Sequence, residues 1–331
     1  MERVFSGIQP TGSLHIGNYL GAMVNFLRLQ ETRECIYCVV DYHALTSRPD
    51  PAELERRVIE VGRGYLAAGI DPERSILFRQ SDVPEHAELA WVLGCLTQIG
   101  ELSKMTQFKD KAKQQKENIN AGLFTYPVLQ AADILLYRAA EVPVGEDQVQ
   151  HLELSRNIAR RFNHHYGEFF PEPATVLAEA TRVMGIDGEH KMSKSKDNEI
   201  GLFEEPESIR KKLAGAKTDP ARKRRTDPGE PTRCNVYSYH EFFTPPEERE
   251  ACARGCRTAG IGCVDCKKVL FENMEKVLAP MRERYHELKG RGDDQVIQVL
   301  RDGGRRARRI ARETMAGVRA KVGLPPDPGG A

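Results

Sequence analysis

The stretch SGIQPTGSLHIGNYLGA, residues 6–22, decides how the rest of this chain is read. Val4 to Ile8 is strand-like, and Ile16, Leu20, Val24 and Leu27 then recur on one helical face. Gly7, Gly12, Gly17 and Gly21 remove side chains where a backbone must come close to something, and Gly12 and Gly17 flank the helix start. A helix start exposes free N–H groups and partial positive charge, which suits a phosphate, and His15 and Asn18 add donors one turn apart. The same residues also suit a tight strand-to-helix turn with capping side chains. The glycine spacing is neither that of a P-loop nor G-x-G-x-x-G, so a nucleotide bound here is held by another geometry.

Working outward, CIYCVVDYHAL reads as a buried strand, and Leu54, Val58, Val61 and Tyr65 mark a helix. SILFRQS is a further strand, followed by a helix through Leu89, Val92, Leu93 and Leu96. Continuous apolar strands alternating with helices predict an α/β domain with a parallel sheet covered on both faces. After residue 200 strand signals nearly vanish, and helical periods run from about 264 to 290 and from about 305 to 322. In the last of these Ala307, Ala311, Thr314, Val318 and Val322 form a narrow apolar seam. Arg305, Arg306, Arg308, Arg309 and Arg312 cluster at its start, which reads as a solvated face or as a contact for phosphate. The tail GLPPDPGGA is expected to be disordered.

The chain has 331 residues, 40% of them hydrophobic, which is enough for two domains with ordinary cores. A formal net charge of +1 excludes bulk electrostatic attraction to nucleic acid, so any such contact rests on local basic patches. No run of 18 apolar residues occurs and the N-terminus has no apolar signal core, so a cytoplasmic protein without a membrane partner is expected. Eight cysteines in a reducing compartment argue against a disulfide framework. Cys35, Cys38 and Cys95 lie in apolar runs and read as buried small hydrophobes.

GEHKMSKSKDN, residues 188–198, carries three lysines and a single apolar side chain, Met192, and reads as a mobile charged loop. Together, PTGSLHIGN (10–18) and KMSKS (191–195) resemble the paired signatures of class I aminoacyl-tRNA synthetases, with Asn18 replacing the final His of the first motif. FSGIQPTG, GNYLGA, GIDP, GELSKMTQFK, AADILLY and PVGEDQ resemble the bacterial-type tryptophanyl family, from about residue 3 to 320. The resemblance implies a Rossmann-type catalytic domain with a connective insertion over 1–187 and a mobile KMSKS loop over 188–200. It further implies a helical anticodon-binding domain over 201–300, a C-terminal helix over 301–323 and a tail over 324–331.

The implied activity joins tryptophan to tRNA(Trp) in two steps. L-tryptophan and Mg²⁺-bound ATP give tryptophanyl-adenylate and pyrophosphate, and the acyl group then passes to a terminal ribose hydroxyl of the tRNA. Such chemistry rests on positioning and charge stabilisation. Lys191 and Lys194 are the expected cations for the β- and γ-phosphates, with His15 and Asn18 completing the catalytic set. The ATP site implied by the family also takes in Gln9, Pro10, Thr11, Gly17, Gly145, Glu146, Asp147, Val183, Met192, Ser193 and Ser195. Lys109 and Lys111 are two further cations able to reach phosphate. Glu146 and Asp147 equally suit an acidic turn capping the following helix.

Asp133 sits inside the apolar run FTYPVLQAADILLY, where an unpaired carboxylate is costly. Either a basic neighbour or backbone donors satisfy it, or it accepts from a substrate donor, and indole offers one N–H. By resemblance Tyr126 and Gln148 hold the substrate ammonium, and Phe5, Val142 and Val144 wall the indole. His43 lies near the pocket in the family, although a packed histidine after a strand fits equally. Gln130 departs from the Met of many relatives; it either bonds the substrate or repositions Asp133.

Cys234, Cys256, Cys263 and Cys266 follow C-x21-C-x6-C-x2-C, with Cys252 one helical turn before Cys256. Both a structural Zn²⁺ and a [4Fe–4S] cluster take four thiolates. The spacing resembles that of a subset of the tryptophanyl family that carries a [4Fe–4S] cluster, with one residue fewer in the long interval, so the cluster is the expectation and Zn²⁺ the alternative. The family also implies a homodimer, for which the apolar segment from Trp91 to Ile99 is a candidate interface, core burial being the other reading.

Overall fold

The computed structural model describes residues 2–10, 14–109, 118–177 and 183–327. The chain forms two compact units, Met1–Thr11 with Asn25–Thr181 and Arg291–Ala331, and Gly12–Val24 with Arg182–Gly290. In chain order the elements begin β1 (Arg3–Ile8), α1 (Ile16–Asn18), a π-turn (Tyr19–Met23), α2 (Val24–Leu29), β2 (Glu34–Val39), α3 (Asp41–Ala44) and α4 (Pro51–Ala68). They continue with β3 (Ile76–Arg79), α5 (Glu85–Gly94), α6 (Ile99–Ser103), α7 (Ala121–Leu136), β4 (Glu141–Val144), α8 (Val149–Tyr166) and β5 (Ala174–Leu177). The remainder is helical: α9 (Pro206–Gly215), α10 (Asn235–Phe243), α11 (Pro246–Arg257), α12 (Cys263–Gly290) and α13 (Asp294–Val322).

The first unit is built on a five-stranded sheet of order β3-β2-β1-β4-β5. Every pairing is parallel, with β1 and β2 in register from Arg3↔Glu34 to Ile8↔Val39. This is the expected Rossmann-like α/β arrangement. Strand order reverses between β1 and β4, which opens a crevice beyond their carboxyl ends, the place where such sheets bind ligands. The strand β2 is buried from Cys35 to Val39 because helices cover both faces, so Cys35 and Cys38 are core residues as expected. Cys95, by contrast, is exposed: α5 ends at Gly94 and the chain turns there, taking the thiol out of the apolar face.

The helix α13 closes this unit against β3. Its seam residues Ala307, Ala311, Thr314 and Val318 are buried as the periodicity predicts. Gly303 lets the helix backbone approach the carbonyl of Leu77 so closely that any Cβ there would collide with it. The arginine run divides: Arg305 and Arg309 are exposed, as a solvated face would be, while Arg306, Arg308 and Arg312 reach other elements. Arg306 donates to the carbonyls of Pro72 (2.6 Å) and Ser75 (3.3 Å), and Arg308 donates to Glu85 at 2.9 Å. Arg312 reaches the same Glu85 oxygen at 3.5 Å, and Arg319 pairs with Glu88 at 2.6 Å. Glu85 and Glu88 follow Pro84 at the start of α5, so both ends of that ion-pair row are fixed by helices.

The second unit holds α1, the π-turn, the loop after residue 183 and α9 to α12. No strand follows Leu177 among the described residues, as the loss of strand signal predicts. Arg282, almost fully buried on α12, donates to the Glu204 carbonyl at 2.7 Å and to both oxygens of Glu275. Phe203 stacks on Tyr285 with ring centroids 4.3 Å apart. Among the described residues no helix is long and apolar enough to cross a membrane.

Candidate active site

Within the second unit the two signature motifs meet. The backbone N–H of His15 donates to Asn18 Oδ1 at 3.0 Å, so the Asn18 amide closes a capping box at the head of α1. Isolated bridges pair His15 with Gly201 and Met184 with Lys191. The Met192 N–H donates to the Val183 carbonyl at 3.0 Å, and both side chains are buried. Gly17 makes the approach possible. A Cβ there would lie 2.9 Å from His15 Nδ1 and 3.5 Å from the Met192 Cβ.

Electrostatics at this junction favour an anion. The His15 ring is held down to about 4, by burial first and by the Lys191 charge second, so the imidazole is neutral at neutral pH. Its Nδ1 is buried and has no partner among the described residues. Lys191 and Lys194 are both exposed. Asn198, only 2% exposed, staples the lysine loop: Oδ1 accepts from the Ser193 N–H at 2.8 Å, and Nδ2 donates to Asp187 at 3.0 Å. Thr11, Lys111 and the Ser195 side chain lie outside the described residues.

In the first unit, Gln9 and Pro10 follow the carboxyl end of β1, and Gly145 follows that of β4, so both segments lie at the crevice. Glu146 to Gln148 form a 3-10 turn leading into α8. Gln148 Nε2 donates to Asp147 at 2.7 Å, and Gln148 Oε1 accepts from Gln130 Nε2 at 3.4 Å. Gln130 therefore contacts Gln148.

Asp133 is 2% exposed and meets three donors. Gln80 Nε2 and His86 Nδ1 both reach Oδ1 at 2.7 Å, and His43 Nε2 reaches Oδ2 at 2.8 Å. Burial alone would raise its pKa, but hydrogen bonds and charge from His43 and His86 override that and hold the carboxyl well below the usual range. His86 Nε2 meets the Tyr137 hydroxyl at 2.7 Å, and the Tyr137 ring stacks on Phe5 at 5.4 Å. The Tyr126 hydroxyl meets His151 Nε2 at 3.0 Å, with its own pKa pushed up to about 12 by burial first and by the Asp147 charge second. His43 and Tyr126 rings meet edge-on at 6.2 Å.

Sequence reasoning missed Gln80, His86, Tyr137 and Asn198. For His86 a signal existed: it falls on the face of α5 that carries Leu89 and Leu93, both fully buried. His240 was missed in the same way, lying on α10 with Val236 and Phe243.

The cysteine group of the second unit gathers around Cys266. The donor atoms of His240, Cys252 and Cys266 lie within 4.8 Å of one another, with His240 Nε2 to Cys266 Sγ at 3.3 Å. Of the four cysteines expected as ligands, Cys266 belongs to this tight group. Cys234 and Cys256 lie close enough that, after burial and alongside Cys252, their charges raise the Cys266 thiol pKa. Cys263, Cys234 and Cys266 all act electrostatically on Lys267, whose pKa burial lowers. So many soft donors in one region are suited to a metal that would ionise the thiols.

Residues 1–279 match the family described as tRNA synthetases class I (W and Y). The tryptophan–tRNA ligase of Deinococcus radiodurans is 53% identical over 329 residues, covering 98% of this chain and 99% of the relative. That of Thermotoga maritima is 45% identical, covering 97% and 99%. The tryptophanyl-tRNA synthetase of Campylobacter jejuni, solved with ADP and tryptophan, superposes with a TM-score of 0.87 at 36% identity, covering 97% of this chain and all of the other.

Proposed function

Since the chain belongs to the class I tRNA synthetases for tryptophan and tyrosine, we propose how its own residues divide the work of its tryptophan–tRNA ligase reaction. The substrates are L-tryptophan, ATP and tRNA. The tryptophan carboxylate attacks the α-phosphorus of Mg²⁺-bound ATP, tryptophanyl-adenylate forms, and pyrophosphate leaves. The carboxylate carbon is then attacked by a terminal ribose hydroxyl of tRNA(Trp), and AMP departs.

The observation that carries the nucleotide assignment is the meeting of the two motifs at Gly17. The buried, neutral His15 ring with its unpartnered Nδ1, and the Val183–Met192 pair, flank a gap that a side chain at Gly17 would fill. There Lys191 and Lys194 supply charge to the departing pyrophosphate, while Ser193 and Ser195 flank them. Gln9, Pro10, Gly145, Glu146 and Asp147, at the carboxyl ends of β1 and β4, receive the ribose and phosphates. Asp133 accepts from the indole N–H, Phe5 and His43 line that end of the site, and Tyr126 and Gln148 hold the ammonium, with Gln130 steadying Gln148. Replacing both lysines by alanine is expected to slow tryptophan-dependent ATP–pyrophosphate exchange at least about 100-fold, as for loss of other transition-state charge contacts. Exchange at the original rate would remove this assignment.

The cysteine group fits a thiolate-held metal, and we assign it a [4Fe–4S] cluster on Cys234, Cys256, Cys263 and Cys266, with Zn²⁺ on a set including His240 and Cys252 as the alternative. When bound, the group ties the loop after α9 to α11 and α12 and takes no part in acyl transfer. Iron and sulfide near four each per chain in protein prepared without oxygen support the cluster; one zinc per chain supports the alternative. The enzyme works in the cytoplasm, where its nucleic-acid substrate is used, as a homodimer joined through the exposed Trp91 and Ile99 side chains.

A further inference from the structure

The Asp133 carboxylate has about four in-plane acceptor positions, two on each oxygen. Oδ1 takes Gln80 Nε2 and His86 Nδ1, both at 2.7 Å, and Oδ2 takes His43 Nε2 at 2.8 Å. Three positions are filled and one, on Oδ2, is left. An ionised carboxylate only accepts, so the proton of His86 sits on Nδ1. The other ring nitrogen, Nε2, meets the Tyr137 hydroxyl at 2.7 Å. Burial holds that hydroxyl protonated. His86 itself is fully buried. Its ring is further clamped between Phe78, 5.9 Å away and nearly parallel, and Tyr137, 5.4 Å away.

We propose that His86 is a positioning residue for tryptophan selection: the fixed chain from the Tyr137 hydroxyl through the His86 ring to Oδ1 of Asp133 leaves one acceptor position, on Oδ2, matched to the single N–H of an indole. Without the His86 donor a second position opens on Oδ1. The carboxylate can then turn or take up water, and its selectivity for an N–H donor falls. The proposal rests on the reading of Asp133 as the indole acceptor given above.

The test compares kcat/KM in pyrophosphate exchange for tryptophan and for its benzothiophene analogue, in which sulfur replaces the indole N–H. A partly unfolded preparation loses both substrates equally, so the ratio of the two values is insensitive to folding. For His86→Leu the ratio is expected to fall at least about tenfold, with the KM for ATP unchanged. For His86→Asn, whose amide nitrogen can occupy the place of Nδ1, it is expected to stay within about threefold of the wild type. A ratio unchanged in His86→Leu, or lost equally in His86→Asn, overturns the proposal. Asp133→Asn separates the two levels. If it collapses the ratio while His86→Leu does not, His86 alone is dismissed; if neither moves the ratio, the Asp133 assignment falls as well.

Discussion

His15 shows how one side chain is tuned by where the backbone places it. Its ring sits behind Gly17 and beside Lys191, and burial followed by that charge brings its pKa to about 4. The unfolded chain carries an ordinary histidine near 6.5. Between those values the unfolded state binds a proton that the folded state refuses, so stability is fully present above pH 6.5 and is lost as pH falls toward 4. His15→Asn is expected to remove about 2 kcal/mol of the stability change between pH 7 and pH 5. Urea unfolding of wild type and variant at the two pH values measures it; equal slopes in both proteins would contradict the placement of His15. Asp133 is the opposite case. Its type and apolar setting were visible in the sequence, but its donors Gln80, His86 and His43 come from three other segments, 53, 47 and 90 residues away. No spacing rule joins residues at such separations.

The elements differ in how openly the sequence announces them. Helices with long apolar periods, such as α4 and α13, were legible because a buried stripe must repeat at the helical period. The two strands beyond the reversal were not seen. In β4 a proline interrupts four residues, and β5 is an edge strand with no fully buried position, so neither shows a sustained strand pattern. Yet β4 matters most for the site, since Gly145 to Gln148 leave its carboxyl end. The docking of α13 on β3 depends on backbone contact at Gly303. Gly303→Ala is expected to lower stability by about 2 kcal/mol or more, because a backbone carbonyl cannot move aside as a flexible side chain can. Thermal unfolding checks it; an unchanged melting temperature would show that the helix shifts freely on the strand. The arginines of α13 were read from composition alone, which gives charge but not partner, and Glu85 turned out to hold two of them.

For the whole molecule, the exposed apolar side chains bear on assembly. Trp91 is 77% exposed and Ile99 73%, so core burial does not explain them. Two large apolar groups left in water on neighbouring helices are suited to a partner surface, and the second copy of the chain proposed above covers them. Trp91→Asp is expected to convert a dimer to monomer at micromolar concentration without lowering the helical circular dichroism. Light scattering coupled to gel filtration decides it, and an unaltered dimer mass would move the interface elsewhere.

By itself the sequence determined the class of fold and the family to which the two signature motifs point, and it brought the clustered cysteines to notice, because each rests on residues close in the chain or on a repeating period. The tertiary structure alone decided which donors surround Asp133, how Asn198 fastens the lysine loop, that Gln130 touches Gln148, and that His240 and Cys252 join Cys266. Apart from the Asn198 contacts, which form within one irregular loop, these contacts join side chains from separate segments by close packing, and neither an irregular loop nor packing leaves a periodic trace in the order of residues.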